Sequence, residues 1–298
     1  MTKQSFKAVV EANPYIDKVF GISKKAQEVL PALKAEAYDA IIDLHHNLRS
    51  WQVKWALRQV PSYAFDKLNW QKWLLVRFKI NRLPDVHIVD RYLATVAPLG
   101  VSNDGQGLDY YIKPGDEVNT SGLFDPRVYG QLGVENSASH YIAFVIGAAH
   151  ATKRLPREKI TEICKQLAPQ PIVLLGGPED SAAGSAIALQ AGPHVVDMCG
   201  KLKLNQSASV VRQAARVITH DTGLMHIAAA FRRPITSVWG STVPAFGMYP
   251  YYPQGLQLNK SVEVPDLPCR PCSKIGFQKC PQGHFRCMQQ INPADFRE

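Results

Sequence analysis

Short apolar runs alternate with stretches of helical spacing along most of this chain. In the second half, residues 141–146, 171–175, 195–197, 216–219 and 235–239 are mainly aliphatic or β-branched. Between them, residues 157–167, 181–191, 204–215 and 224–231 read as helices. The first half repeats the pattern with weaker elements. Residues 1–13 read as a turn and a short helix stopped before Pro14. Strands are predicted at 18–22, 39–44 and 62–65. Helices are predicted at 24–37, 51–59 and 87–99, the last closed by Gly100. Such alternation implies βαβ units and parallel sheets. Residues 101–139 are richer in Gly, Pro, Asp and Asn and read partly as a linker, with a strand at 108–112. The expected fold is α/β, with two Rossmann-like domains at residues 1–135 and 136–298.

A length of 298 residues agrees with two domains, and 46% hydrophobic residues supply ample core. The formal net charge of +9 favours an anionic partner, either a phosphorylated substrate, an acidic lipid surface or nucleic acid. No polycationic tail or recognition-helix pattern is visible, so no nucleic acid partner is expected. No signal-type segment and no apolar run long enough to span a bilayer occurs in this sequence. Cys164 and Cys199 lie in apolar contexts and are expected to be buried thiols. The reducing cytoplasm is the expected compartment.

The most informative stretch is 217–240. A β-branched strand runs into the turn Asp221-Thr222-Gly223, and an Ala-rich helix starts at Leu224. Pro234 stops that helix before the next strand. The turn sits at the carboxyl end of a parallel strand, where α/β proteins bind ligands. Unpaired N–H groups at the helix start favour an anion, most often phosphate. An aspartic protease also carries Asp-Thr-Gly, but it needs two such carboxylates on a β architecture. Lys153 and Arg154 follow an earlier strand, where a lysine can neutralise a diphosphate. Glu179 and Asp180 follow Gly176-Gly177-Pro178 and could hold ribose hydroxyls, or merely shape a tight turn.

Three further features stay open on residues alone. His45, His46, Asn47 and Arg49 follow the strand ending near Asp43 and could line an acceptor side, or simply be a solvated loop. Residues 70–80 mix Trp70, Trp73 and Phe78 with Lys72, Arg77 and Lys79. A helix packed on the core fits this pattern slightly better than one lying on a membrane surface. Cys269, Cys272, Cys280 and Cys287, with His284 among them, suggest zinc or a reduced cysteine-rich loop.

Taken in order, several motifs resemble glycosyltransferase family 9, the ADP-heptose:lipopolysaccharide heptosyltransferases. They are Gly147-Ala with Lys153-Arg-Leu-Pro156, Leu175-Gly-Gly-Pro-Glu-Asp180, Asp221-Thr-Gly-Leu-Met-His226, Trp239-Gly240 and the late cysteines with Met288. The resemblance implies a GT-B fold, with two Rossmann-like domains facing a cleft. It implies a nucleotide-sugar donor, ADP-heptose, held by Lys153, Glu179 or Asp180, Asp221, Thr222, Gly223, Leu224 and His226. It implies an anionic lipopolysaccharide-type acceptor in the N-terminal domain and work at the inner face of the cytoplasmic membrane. It also implies inverting transfer with no metal or other cofactor required. Family members open with a strand, a Gly-Asp-containing loop whose Asp is taken as the base, a helix and another strand. Met1-Thr-Lys-Gln-Ser-Phe6 resembles the segment after that second strand. The N-terminal domain is therefore expected to be incomplete and the catalytic Asp absent from the chain. The alternative expectation is a non-catalytic nucleotide-sugar-binding remnant.

Overall fold

The structure, a computed structural model, describes residues 1–125, 127, 130 and 140–297. Its C-terminal half is a six-stranded sheet in the order β10-β9-β8-β5-β6-β7, parallel throughout. These strands are β5 (Ile142–Val145), β6 (Ile172–Leu175), β7 (Val195–Asp197), β8 (Arg216–His220), β9 (Ile235–Trp239) and β10 (Asn259–Glu263). Four helices connect them: Arg157–Gln166, Ser181–Ala191, Leu204–Gln213 and Gly223–Ala230. Residues of β5 and β6 are buried on both faces, which is why they read as unbroken apolar runs. Alternate side chains feed two cores. Ile142, Phe144, Ile172 and Leu174 pack on one face, and Ala143, Val145, Val173 and Leu175 on the other. The strand order reverses between β5 and β8, so a crevice opens beyond their carboxyl ends.

The N-terminal half holds shorter elements. β1 (Thr2–Lys3) pairs in parallel with β2 (Gly21–Ile22), and β3 (Ile41–Asp43) with β4 (Ser62–Ala64), as two separate sheets. Its helices are Lys7–Val10, Leu30–Ala35, Leu48–Ala56, Asn69–Phe78 and Ile88–Ala94. Ile22, Ala26, Val29, Leu33 and Val53 form a small core there. The helix expected over 24–37 divides into the 3-10 turn Ala26–Glu28 and the helix Leu30–Ala35, where Pro31 enters the first turn. The helix expected from residue 51 starts earlier, at Leu48. Asn47 caps it by accepting a hydrogen bond from the Ser50 amide at 3.0 Å.

Three sequence expectations need correction. Residues 108–112 form no strand. Tyr110 instead donates its hydroxyl to Asn205 Oδ1 at 2.6 Å, which ties the segment to the C-terminal half. Strand β10 was not anticipated, because Val262 is the one apolar side chain in residues 259–263 and no apolar period is present. It lies at the sheet edge, with only Val262 buried. The helix Asn69–Phe78 is not a core-packing helix, since Leu75 is its one buried residue. The domain boundary expected at 135/136 lies outside the described residues.

The C-terminal end of the chain packs into the larger core. Met288, Ile291 and Phe296 are buried there, and the Phe296 carbonyl accepts from Arg216 at 3.0 Å. Phe296→Ala should lower stability by roughly 3 kcal/mol through the cavity it leaves. The check is a drop in the urea midpoint at unchanged slope.

Candidate functional site

The carboxyl ends of β8, β5 and β6 lie side by side and carry the three loops singled out in the sequence. After β5, residues 147–156 make a 3-10 turn at Ala151–Lys153. After β8, Thr222 starts the helix Gly223–Ala230 without a side-chain cap. Its hydroxyl turns to Thr219 Oγ1 at 3.3 Å instead, which leaves the first amides of the helix for another acceptor. A side-chain carbon built on Gly223 would meet nothing within 4 Å, so the space there is open. These features suit a phosphate.

Lys153 reaches across to this turn. Its Nζ lies 2.6 Å from Asp221 Oδ2, and both side chains are largely buried. The same carboxylate oxygen accepts from Thr242 Oγ1 at 2.9 Å. Asp221 thus fixes a cation beside the open helix start. Its neighbour His220 is buried and accepts the Leu155 amide at Nε2, 3.0 Å away. That bond requires an unprotonated Nε2. Burial, reinforced by the Arg154 cation, pushes His220 down to about 4. His226, one turn into the helix, is also pushed down by burial, which outweighs the pull of Asp221.

The structure separates Glu179 from Asp180. Asp180 is buried and engaged twice, by Arg154 Nη1 at 3.0 Å and by the Gly177 amide at 2.9 Å. Gly147 and Gly176 have no room for a side chain, because the Asp180 carboxylate fills that space. Asp180 is therefore the keystone of its loop, and Glu179 beside it is exposed. The acceptor-side candidates are placed differently. Asp43 Oδ1 accepts the amides of His45 and His46, and Lys54 Nζ lies 2.9 Å from Oδ2. His46 Nδ1 bonds the Phe65 carbonyl at 3.1 Å, so His46 and Asn47 shape this loop. His45 is exposed and lines a cavity of about 940 Å³ that runs along β3. No hydrogen bond or ion pair among the described residues links His45, His46, Asn47 or Arg49 to the donor loops.

The cysteine segment packs against the site loops. No group of three or more His, Cys, Asp or Glu among the described residues is gathered to hold a metal. Cys272 Sγ turns to the Cys269 carbonyl at 3.0 Å, and Cys287 is buried in the core. The segment braces the site loops instead. Phe277 and Thr152 exchange backbone and hydroxyl bonds at 2.7 and 3.0 Å. The Cys272 amide donates to Ser241 at 3.0 Å, and Ser241 bonds Thr152 at 2.9 Å. Arg270 donates to the carbonyls of Trp239, Gly240, Thr242 and Val264, and pairs with Glu263 at 2.6 Å. Sequence reasoning missed Arg270 because it sits inside Cys-x-x-Cys. It missed Thr242 too, although the carboxyl end of β9 was a signal for it.

The two halves also meet away from these loops. His87 Nε2 donates to the Tyr249 carbonyl at 2.8 Å, and the Ile88 amide to Gly247 at 2.8 Å. This architecture is the α/β arrangement of GT-B proteins, with a ligand crevice at the strand ends. The glycosyltransferase family 9 (heptosyltransferase) model matches residues 27–276, and the chain belongs to that family. Lipooligosaccharide heptosyltransferase 2 of Haemophilus influenzae is 27% identical over 226 residues, covering 71% of this chain. This chain spans 63% of the length of that relative. The glycosyl transferase family 9 structure from Veillonella parvula superposes with a TM-score of 0.68 at 23% identity, covering 89% of this chain and 77% of that one. The E. coli ADP-heptose lps heptosyltransferase II structure does so at 0.60 and 19% identity, covering 97% and 87%. These likenesses establish the shared fold.

Two outcomes follow from the geometry. His220 has a folded pKa below its ordinary 6.5, so the unfolded chain binds the proton first as pH falls. Stability is then full above pH 6.5 and declines towards about pH 4. The decline should amount to about 3 kcal/mol, and His220→Gln should flatten it in urea titrations across that window. Arg270→Lys keeps the charge but loses the planar fork. It should lower the urea midpoint by an amount equivalent to about 2 kcal/mol.

Proposed function

We propose that this chain moves a heptose from a nucleotide-sugar, with ADP-heptose the preferred donor, to lipopolysaccharide core with inversion at the anomeric carbon. The observation that carries the reading is the Lys153–Asp221 pair beside the uncapped helix start at Gly223. Membership of a heptosyltransferase family and the donor named for the E. coli structure support the choice of sugar and nucleotide. In this reading residues 136–298 hold the donor and residues 1–135 face the acceptor.

The acceptor hydroxyl oxygen bonds to the anomeric carbon while the bond from that carbon to the diphosphate oxygen breaks. The electron pair leaves on the diphosphate, and the hydroxyl proton passes to a base on the opposite face of the sugar. Lys153 and the amides at Gly223 and Leu224 stabilise the charge that grows on the departing diphosphate. Asp221 and Thr242 orient that lysine. His226, kept neutral by burial, offers one donor and one acceptor to the sugar or diphosphate without adding charge. Exposed Glu179 holds the ribose hydroxyls, whereas Asp180 is already engaged by Arg154. His45 and the cavity along β3 belong to the acceptor side. No cofactor enters this scheme.

Calorimetry with ADP-heptose is the first test, and absence of binding sinks the proposal. Lys153→Ala should weaken ADP affinity about tenfold to a hundredfold. Glu179→Gln should weaken ADP about tenfold while leaving inorganic diphosphate unchanged. Turnover on heptose-deficient lipopolysaccharide, with the new linkage read by NMR, checks transfer and inversion. Donor binding without turnover would favour the non-catalytic reading.

A further inference from the structure

The helix Asn69–Phe78 carries a projecting aromatic face. Trp70 and Trp73 are 64% and 46% exposed, and Phe78 and Ile80 are exposed beside them. The indoles stack on each other at 4.8 Å, and Phe78 meets Trp73 edge-on at 5.2 Å. A second segment extends this face. Ile275 and Phe277 are exposed in the cysteine-rich stretch. Lys79 Nζ donates to the Pro271 carbonyl at 2.8 Å, and Lys274 Nζ lies 3.5 Å from Asn69 Oδ1. The two stretches, 192 and 205 positions apart in sequence at these two bonds, therefore form one surface.

Its charge is of one sign. Residues 67–82 hold Lys67, Lys72, Arg77, Lys79 and Arg82 and no acid, and residues 268–279 add exposed Lys274 and Lys279, again with no acid. The Lys72 ammonium is pushed down by burial and then by Arg91, Lys274 and Lys67 around it, so the cations there outweigh the nearby Asp66.

We propose that this composite face docks onto an anionic lipid surface. Indole rings and long cationic stems suit the boundary between headgroups and acyl chains, and the cations match an acidic leaflet. A second copy fits poorly, because isologous pairing would set cations against cations. Nucleic acid fits poorly as well, because exposed Ile80 and Ile275 add aliphatic surface that a base-stacking, phosphate-binding groove does not use. The position gives docking a consequence. Phe277 is bonded to Thr152, the residue before Lys153, so the docked face lies at the mouth of the donor crevice. The inference goes beyond transfer and does not depend on it.

The test is co-sedimentation of the full chain with vesicles, without any nucleotide-sugar. Vesicles of phosphatidylcholine mixed with phosphatidylglycerol should retain the protein, and phosphatidylcholine alone should not. Retention should fall as salt is raised. Trp70→Ser with Trp73→Ser should reduce partitioning about tenfold at unchanged melting temperature. Ile275→Ser, which leaves the helix untouched, should reduce it separately. Equal retention on both vesicle types, or unchanged retention in both variants, would overturn the proposal. So would a wild-type dimer in light scattering that the tryptophan variant abolishes, or release of the protein from vesicles by a short oligonucleotide. A negative result here leaves the transfer reading standing, since that reading is tested on binding and turnover in solution.

Discussion

Everything at the crevice depends on one constraint, which is that a lysine must be held beside an open helix N-terminus without anything yet bound. Two like-signed fields, the ammonium of Lys153 and the helix start at Gly223, would repel each other if left alone. The Asp221 carboxylate at 2.6 Å offsets that repulsion, and Thr242 holds the carboxylate in turn. The pair is largely buried, so its attraction is offset by desolvation and its contribution to stability is small. Its value is geometric. A diphosphate arriving at the turn meets a cation already aimed, and little side-chain entropy remains to be lost.

Geometry of this kind needs rigid loops, and three chain segments supply the rigidity. His220 and Leu155 tie the end of β8 to the loop after β5. Thr152 and Ser241 join that loop to the end of β9. Phe277, Cys272 and Arg270 lock both from outside. The cysteine-rich stretch is thus a wall of the crevice. Its contribution runs through amides, carbonyls and one buried guanidinium, while the thiols of Cys272 and Cys287 are pushed up to about 12 and 11 by burial.

The C-terminal sheet was legible in the sequence because its strands are buried on both faces. For the helix over 181–191 the boundaries were read to the residue, since Gly192 ends it at φ +120. The N-terminal elements were harder to read, because two- and three-residue strands leave too short a period to distinguish from loop. At the site, glycine turns at strand ends pointed to Lys153, Asp180 and Asp221. They did not reveal that Asp180 faces inward and Glu179 outward. Two adjacent acids look alike in sequence, and only the fit of Asp180 against Gly147 and Gly176 separates them. Arg270 illustrates the opposite problem, since no local pattern marks a side chain whose partners are carbonyls some 30 positions earlier.

The same wall joins the exposed aromatic face to the crevice. Gly276 approaches His150 so closely that a side-chain carbon there would lie 2.7 Å from His150 Cβ. Phe277 then bonds Thr152 with both its amide and its carbonyl. Lys79 clasps the other end of the stretch at Cys269 and Pro271. The helix of Trp70 is thus joined to this stretch through the Lys79 and Lys274 ammonium groups, and the stretch to the lysine loop through Phe277 and Thr152. The surface and the anion site therefore share one brace.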